Sequence, residues 1–366
     1  MNEHERDPVG PKSPSWFRRH RKLTILFSIL ALLIIGGGTA GALYFFNQKP
    51  KVVETPKTVV KEKPKPEPIK YYSPLTGNLV TDDGATKQAV TAIMIENSPE
   101  ARPQSGLKDS GVVFEAIAEG GITRFLVLYQ EQKPQLIGPV RSVRMYYVDW
   151  LAAFNASVAH IGGSATALAE VRNGQYRDID QFFNSAFYWR ATDRYAPHNV
   201  YTSFAKLDEL NASKGYTSSS FTGFTRKDSV ALKTPAATRI DVTMSSALFN
   251  SAYNYIATTN TYDREQGGEA HIDRESGQQI SPRVVIVMKV PMRLVFEDGY
   301  REQIDAIGNG SATIFQDGGV QEVTWSKASK LEQIKFTDAD GKDVPLARGQ
   351  TWITAVPADT GGVTWQ

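Results

Sequence analysis

The sequence predicts an α+β protein in which one apolar helix precedes a large folded body. Three observations support this prediction. An uncharged apolar run covers residues 23–46, short β-branched runs alternate with helical stretches up to residue 215, and strands divided by turn residues dominate beyond residue 238. Because strands mix with helices in the first part and stand almost alone in the second, we expect two domains of different β content.

The apolar run Leu23 to Phe46 contains 24 residues without a charge. A helix of this length spans roughly 36 Å, enough to cross a hydrocarbon core of about 30 Å. The basic cluster Trp16 to Lys22 stands before it, which predicts a single-pass protein of the cell membrane with a cytoplasmic N terminus and an extracytoplasmic body. The membrane is therefore the partner expected for Leu23 to Phe46. A cleaved signal peptide is the alternative, since Ala40-Gly41-Ala42 has the small-residue form of a cleavage site.

The segments on either side of this run are basic. Residues 1–22 form a cytoplasmic tail, and residues 47–70 form a linker rich in proline and lysine that favours an extended spacer. Residues 1–70 hold 13 Lys or Arg against 6 Asp or Glu, leaving 28 against 33 for the rest of the chain. The acidic balance of the body argues against nucleic acid as a partner, because phosphate-backbone binding requires a broad basic surface.

Residues 71–215 are predicted to form the first domain. Its strand signals are short runs rich in β-branched and aromatic residues, and its helix signals are longer periodic runs. The predicted strands are Ala89 to Glu96, Val112 to Ala118, Arg124 to Tyr129 and a strand and turn at Ser157 to Ser164; the predicted helices are Met145 to Asn155 and Ala165 to Asn173.

A polar connection, residues 216–238, separates this domain from a mostly β domain at residues 239–357 and a short tail at residues 358–366. Turn signals such as Glu297-Asp298-Gly299 divide the second domain into strands. The strands predicted there are Tyr253 to Thr259, Val284 to Lys289, Ala312 to Phe315, Glu322 to Trp325 and Thr351 to Val356.

The sequence contains none of the strong catalytic or cofactor motifs. It lacks GxxxxGK[ST], GxGxxG, GxSxG and HExxH, and it has no cysteine for a disulfide or a thiolate metal site. We therefore predict no cofactor and no metal site. Whether the protein is an enzyme stays open at this point.

Polar residues gather in the predicted loops of the first domain, where layered folds expose ligand sites at strand ends. Arg141 and Arg144 stand three apart at a predicted helix start, so they share one face and could grip a carboxylate or phosphate. The alternative is that they pair with Glu115 or Glu119 inside the domain. The full set of candidate ligand-binding residues is Arg102, Glu119, Arg124, Arg141, Arg144, His198 and Asn199.

Several longer motifs resemble one known family. They are SPLTG from Ser73, IENSPEARPQSGL from Ile95, EGGITRF from Glu119, GPVRSVR from Gly138, HIGGS from His160, APHNVYT from Ala196, HIDRESGQ from His271 and DADGKDVPLARGQTWI from Asp338. Together they are similar to the YerB-like family of bacterial cell-envelope proteins, with paired N- and C-terminal domains of unknown function. The resemblance implies an exterior location and a layered β-β-α, sandwich-like first domain. Members are typically lipoproteins anchored through a lipidated cysteine, which this chain lacks.

The function expected from these observations is a noncatalytic cell-envelope module that binds an anionic wall or membrane component, with Arg102, Arg124, Arg141 and Arg144 as gripping groups. One alternative is a hydrolase of a cell-wall polymer that uses Glu96, Glu115 or Glu119 as acid or base, assisted by His198. Another is a structural partner of a second envelope protein, recognisable by a large exposed apolar patch.

Overall fold

The computed structural model describes residues 21–48 and 68–366. The chain divides into two units, residues 1–67 and residues 68–366. Most of the predicted cytoplasmic tail, residues 1–20, and most of the predicted linker, residues 49–67, lie outside the described residues.

Helix α1, Arg21–Asn47, is the element described in the first unit and has 27 residues. Its large apolar residues form two runs, one up to Ile35 and one from Leu43 to Phe46, separated by the glycine, alanine and threonine residues of Gly36 to Ala42. Across residues 21–48 and 68–366, no helix is both long and apolar enough to cross a membrane. The predicted transmembrane helix Leu23 to Phe46 is therefore wrong. The single-pass location, with a cytoplasmic N terminus and an extracytoplasmic body, was inferred from this helix and is therefore wrong as well. The same holds for the membrane as a partner through Leu23 to Phe46.

The second unit is built mainly of strands. Strand residues make up 37% of the structure and helical residues 18%, so the α+β class with a preceding transmembrane helix is wrong and the protein is mostly β. The predicted helices are short, because a 3-10 turn at Ala152–Phe154 and left-handed Asn155, with φ of 49°, end the longest of them early. The helices of this unit are α2 Asp83–Thr86, α3 Met145–Leu151, α4 Ala165–Val171 and α5 Phe204–Ser213.

The strands vary from two to nine residues in length. The strands before residue 230 are β1 Tyr71–Tyr72, β2 Leu79–Val80, β3 Thr91–Glu96, β4 Val112–Glu119, β5 Ile122–Tyr129, β6 Ser157–Ala159, β7 Arg177–Asp178, β8 Trp189–Arg190, β9 Val200–Tyr201 and β10 Arg226–Lys227. Those after it are β11 Arg239–Thr243, β12 Ser251–Ile256, β13 Thr261–Gln266, β14 Glu269–Ala270, β15 Val284–Val290, β16 Met292–Phe296, β17 Tyr300–Ile304, β18 Gly308–Gln316, β19 Gly319–Lys327, β20 Lys335–Thr337, β21 Leu346–Ala347, β22 Thr351–Pro357 and β23 Gly362–Trp365.

A ten-stranded sheet runs through the whole unit in the order β20-β19-β18-β15-β22-β4-β5-β3-β6-β7. Strand β22 lies at its centre and pairs in parallel with β15 on one side and with β4 on the other. Strands from residues 71–215 and from residues 239–357 therefore share one sheet, joined by hydrogen bonds between β22 and β4.

Two apolar cores lie on opposite faces of this sheet. On one face, α3 packs through side chains such as Tyr147 and Trp150, and α4 packs through Ala167 and Val171. On the other face, α5 and the five-stranded sheet β14-β13-β12-β11-β23 pack through Leu207, Tyr253 and Tyr262. Burying each such large side chain contributes roughly 1.5–3 kcal/mol, so both faces of the sheet hold the fold together.

Strands β16 and β17 form a separate hairpin. Its exposed apolar residues include Phe296 and Tyr300 at the turn, whose ring centroids lie 5.5 Å apart. This hairpin and the helical face enclose the cleft described below.

Candidate functional site

Three strand ends meet at one edge of the ten-stranded sheet. Strand β3 ends at Glu96, β4 ends at Glu119 and β5 begins at Ile122. Because β3 and β5 are antiparallel, Glu96 lies directly opposite Arg124. Two carboxylates and one guanidinium are thereby brought to the same edge.

The extended segment before α3 adds two arginines to this edge. Val140 bridges to Ile95 of β3, which fixes the position of Arg141 next in the chain. Arg144 follows at the N-cap position of α3 in an extended conformation. The spacing of three residues therefore places these arginines on neighbouring carboxylates rather than on one ligand face.

Glu119 is held by Arg124 and Arg144. Its Oε1 accepts from Nη2 of Arg124 at 2.9 Å, and its Oε2 accepts from Nε of Arg144 at 3.0 Å. Burial alone would raise the pKa of Glu119, but the two guanidinium groups outweigh it and lower the pKa to about 2. Both arginine side chains are buried, and each also donates to a backbone carbonyl, of Ser142 and Val143. Their hydrogen bonds therefore go to Glu119 and to the backbone of the protein.

Glu96 lies at ion-pair distance from Arg141 and His198. Arg141 Nε lies 3.2 Å from one carboxylate oxygen, and His198 Nδ1 lies 3.0 Å from the other. Glu96 is buried, whereas the side chains of Arg141 and His198 are 25% and 23% exposed. Arg141 and His198 are therefore two predicted site residues that contact the same buried carboxylate and are also accessible to solvent.

Arg102 and Asn199 contact neither Glu96 nor Glu119 and have partners elsewhere. Arg102 donates to the Asn97 side chain at 3.1 Å and to the Leu248 carbonyl at 2.8 Å. Asn199 accepts from Arg190 at 2.7 Å and is buried. The seven predicted residues thus divide into the Glu119 cluster, the Glu96 cluster and these two positions.

The geometry bears on the hydrolase alternative. Ser98 Oγ and Glu96 Oε2 both approach Nδ1 of His198, at 3.2 and 3.0 Å. A nucleophile relay uses the two ring nitrogens separately, so these contacts do not form one. Glu115 is fully buried, and the low pKa of Glu119 is opposite to the raised pKa that a general acid needs.

A buried polar network was missed by the sequence reasoning. Arg264 of β13 donates to Glu115 and Gln266 and contacts His271, whose other ring nitrogen lies 2.9 Å from Gln104. Burial, with the nearby charges of Arg264 and Arg102, holds the pKa of His271 well below its usual range. The alternation in TYDREQ could have indicated that Arg264 points inward with Tyr262 and Gln266.

His160, Asp178 and Asp180 form the one His and carboxylate group within metal-binding reach in the part of the chain that the structure describes. His160 Nδ1 lies 2.8 Å from the Gly162 carbonyl and Nε2 lies 3.0 Å from Asp178. Asp180 accepts from Arg172. Because each member already has a protein partner, the group fixes the loop that follows β6.

A cleft of about 580 Å³ opens between the helical face and the β16–β17 hairpin. Arg144 is the one predicted site residue among its lining residues. The sequence around Glu297-Asp298-Gly299 was interpreted as a turn signal alone. The aromatic residues on both sides of that turn, Phe296 and Tyr300, were the signal that could have indicated a ligand surface.

Comparison with known proteins identifies relatives. Residues 75–217 match the family model "Protein of unknown function (DUF3048) N-terminal domain", and residues 240–353 match the corresponding C-terminal domain. The putative lipoprotein YerB of Bacillus subtilis (strain 168) is 33% identical over 293 residues, which cover 79% of this chain and 87% of that protein. The crystal structure of YerB from Bacillus subtilis matches with a TM-score of 0.72 and 31% identity, covering 81% of this chain and 100% of that chain.

Proposed function

The chain belongs to the DUF3048 family, whose description states no activity, and we propose that it is a noncatalytic module that binds an anionic component of the cell envelope through Arg141 and His198. The family resemblance expected from the sequence motifs is confirmed by these matches and by the related YerB.

The observation that supports this proposal most is the position of Glu96 between two donors. Arg141 Nε and His198 Nδ1 each lie at ion-pair distance from one of its oxygens, but neither contact has hydrogen-bond geometry. Within residues 68–366 the two Nη groups of Arg141 and Nε2 of His198 have no other partner. A buried carboxylate therefore orients two half-exposed donor groups that remain free for a ligand, and a guanidinium fork suits phosphate or carboxylate oxygens.

The local charge supports an anion over a cation. Arg124, Arg141 and Arg144 face Glu96 and Glu119, which leaves one positive charge with His198 neutral and two with it protonated. In the proposal Arg124 and Arg144 act by neutralising Glu119, so that Arg141 meets the ligand without a competing carboxylate. The name of the relative, a putative lipoprotein, favours a ligand of the cell envelope.

The test is titration of the full chain with inorganic polyphosphate and with poly-γ-glutamate, followed by calorimetry at fixed ionic strength. We expect the wild type to bind at least one of them, and Arg141→Ala to weaken that binding roughly tenfold, which corresponds to about 1.4 kcal/mol. The two polymers distinguish phosphate from carboxylate recognition.

Arg293→Ala is the matched control, because it removes one exposed, ion-paired arginine of the β16–β17 hairpin. It should leave polymer binding within about twofold, since loss of a single rim charge has a small effect. The proposal fails if both variants lose the same affinity, if the wild type binds neither polymer, or if Arg141→Ala lowers the melting temperature strongly while binding survives.

A further inference from the structure

The cleft beside the hairpin differs chemically from the Glu96 cluster. Its walls are α3, the start of α4, the β16–β17 hairpin and the residues that follow it. The carboxylates that line it are Asp149, Glu297, Glu302 and Asp305, and the guanidinium groups are Arg144 and Arg301. The lining therefore carries two more negative than positive charges.

Both guanidinium groups are paired with carboxylates that do not line the cleft, and Arg144 shares its partner Glu119 with Arg124. Arg144 pairs with Glu119, and Arg301 Nε lies 3.1 Å from Asp298. The lining carboxylate Asp305 has its own partner, Arg293, at 3.3 Å. None of these pairs offsets the other carboxylates of the cleft.

Glu297 also has a partner of its own. Its Oε1 accepts from the backbone N–H of Thr166 at 2.6 Å, which ties the hairpin to the first turn of α4. This contact positions the hairpin over the cleft. Of the remaining carboxylates, Glu302 has no partner within residues 68–366, and Asp149 has Lys330 at 3.9 Å.

Asp149 and Glu302 are the lining carboxylates with the weakest contacts to cations. The Oδ1 atom of Asp149 is buried without a hydrogen bond, and the nearest ammonium, of Lys330, lies 3.9 Å away and is closer, at 2.7 Å, to Glu170. The carboxylate of Glu302 has no hydrogen-bond or ion-pair partner within residues 68–366. Burial raises the pKa of both groups, the effect on Asp149 being opposed by Lys330 and Lys327. A partly buried carboxylate without a close cation is costly to ionise, so a cationic ligand would stabilise this site.

Phe296 lines the cleft, and the ring of Tyr300 packs against it at the hairpin turn. Phe296 and Tyr300 are 75% and 67% exposed, with their rings at 78° to each other. Faces of aromatic rings attract cations, and sites for quaternary ammonium groups are built from such rings together with carboxylates. Exposing both rings costs free energy of hydration unless a ligand covers them.

We propose that this cleft binds an organic ammonium group, with the cation between Asp149 and Glu302 and its alkyl substituents against Phe296 and Tyr300. The charge of the lining excludes the anionic ligands of the Glu96 cluster. The ligand is thus of a second class, and the inference does not depend on the function proposed above.

The test uses three small probes on the full chain, followed by NMR or calorimetry. Choline presents a quaternary ammonium, Nα-acetyl-lysine amide presents a primary one, and 3,3-dimethylbutan-1-ol is the uncharged isostere of choline. We expect at least one of the cations to bind, at least tenfold more tightly than the alcohol. Which of the two binds more tightly distinguishes a quaternary from a primary ammonium ligand.

Variants locate the binding. Glu302→Gln and Asp149→Asn should each weaken it roughly tenfold, and Tyr300→Ala about fivefold. Glu269→Gln and Leu331→Ala, which alter exposed side chains outside the cleft lining, are the matched controls and should change nothing. Melting temperatures verify that every variant is folded. The inference is overturned if neither cation binds, if the alcohol binds as well as choline, or if Glu302→Gln and Asp149→Asn both retain full affinity in the folded state.

Discussion

Arg264 and Glu115 form a 2.8 Å ion pair in which neither side chain has any exposure to solvent. Arg264 belongs to β13 of the five-stranded sheet, and Glu115 belongs to β4 of the ten-stranded sheet. Trp352 of β22 donates to the same carboxylate at 3.0 Å. One charge pair therefore fixes the position of the two sheets across the apolar core between them.

Replacing Arg264 by methionine should destabilise the fold strongly. It leaves Glu115 as a buried charge without its partner, at a cost of about 3–5 kcal/mol, and we expect the melting temperature to fall by roughly 10 °C. Thermal denaturation followed by circular dichroism measures this. Arg239→Met in the same sheet removes a partly exposed ion pair and should cost under about 1 kcal/mol. A Glu115→Leu, Arg264→Met double variant should recover much of the loss, and equal stability of Arg264→Met and Arg239→Met would contradict the prediction.

Glu119 should give the protein an acid-dependent stability. Because its pKa is about 2 in the fold against a usual 4.5, its contribution is complete above pH 4.5 and is lost as the pH falls toward 2. A shift of this size corresponds to roughly 3 kcal/mol. The difference in melting temperature between the wild type and Glu119→Gln should therefore be largest near neutral pH and shrink between pH 4.5 and 2. A difference that stays constant over this range would argue against the ion-pair assignment.

Arg144 and Arg141 should respond differently to truncation, although they stand three residues apart. Arg144→Ala removes buried hydrogen bonds to Glu119 and to the Val143 carbonyl, and we expect a loss of about 2 kcal/mol in the free energy of unfolding. Arg141→Ala should cost less, because that side chain is partly exposed and Glu96 keeps His198. Urea denaturation of both variants gives the comparison, and the reverse order would show that the two roles are exchanged.

Gly223 should not tolerate alanine. A Cβ there would lie 2.0 Å from the carbonyl oxygen of Pro74, so the backbone would have to move, at a cost of about 1–3 kcal/mol. Gly362→Ala is the control, since nothing lies within 4 Å of its Cβ position. The midpoint of chemical denaturation should fall for the first variant and hold or rise for the second. Equal midpoints would mean that the segments at Pro74 and Gly223 separate easily.

Local sequence patterns predicted the elements that carry the site. The runs ending at Glu96 and beginning at Val112 are strands β3 and β4, as their β-branched content indicated, and helix α3 begins at Met145 as predicted. The internal alternative for Arg144, a pair with Glu119, is also present. These features depend on residues close in sequence, where periodicity and spacing carry information.

Long-range contacts could not be predicted in this way. Arg141 binds Glu96, which lies 45 residues earlier, and Arg264 binds Glu115, which lies 149 residues earlier. No local pattern encodes such pairings, and a charged residue is expected outside the core unless its partner is known. The prediction that helix α1 spans a membrane was wrong for a different reason, since an uncharged run is not sufficient evidence for a membrane span. The domain boundaries and the ligand role of the seven site residues stay predictions.

The central place of β22 in the ten-stranded sheet determines when the chain can finish folding. Residues 351–357 follow both β4 and β15 in the chain, and these two strands cannot close their shared hydrogen-bond ladder until those residues are available. Pairings this distant in sequence are slow to form, and an unpaired strand edge is prone to association with other chains. A chain truncated before Thr351 would therefore expose two open strand edges at its middle, and it should aggregate rather than form a shortened native protein.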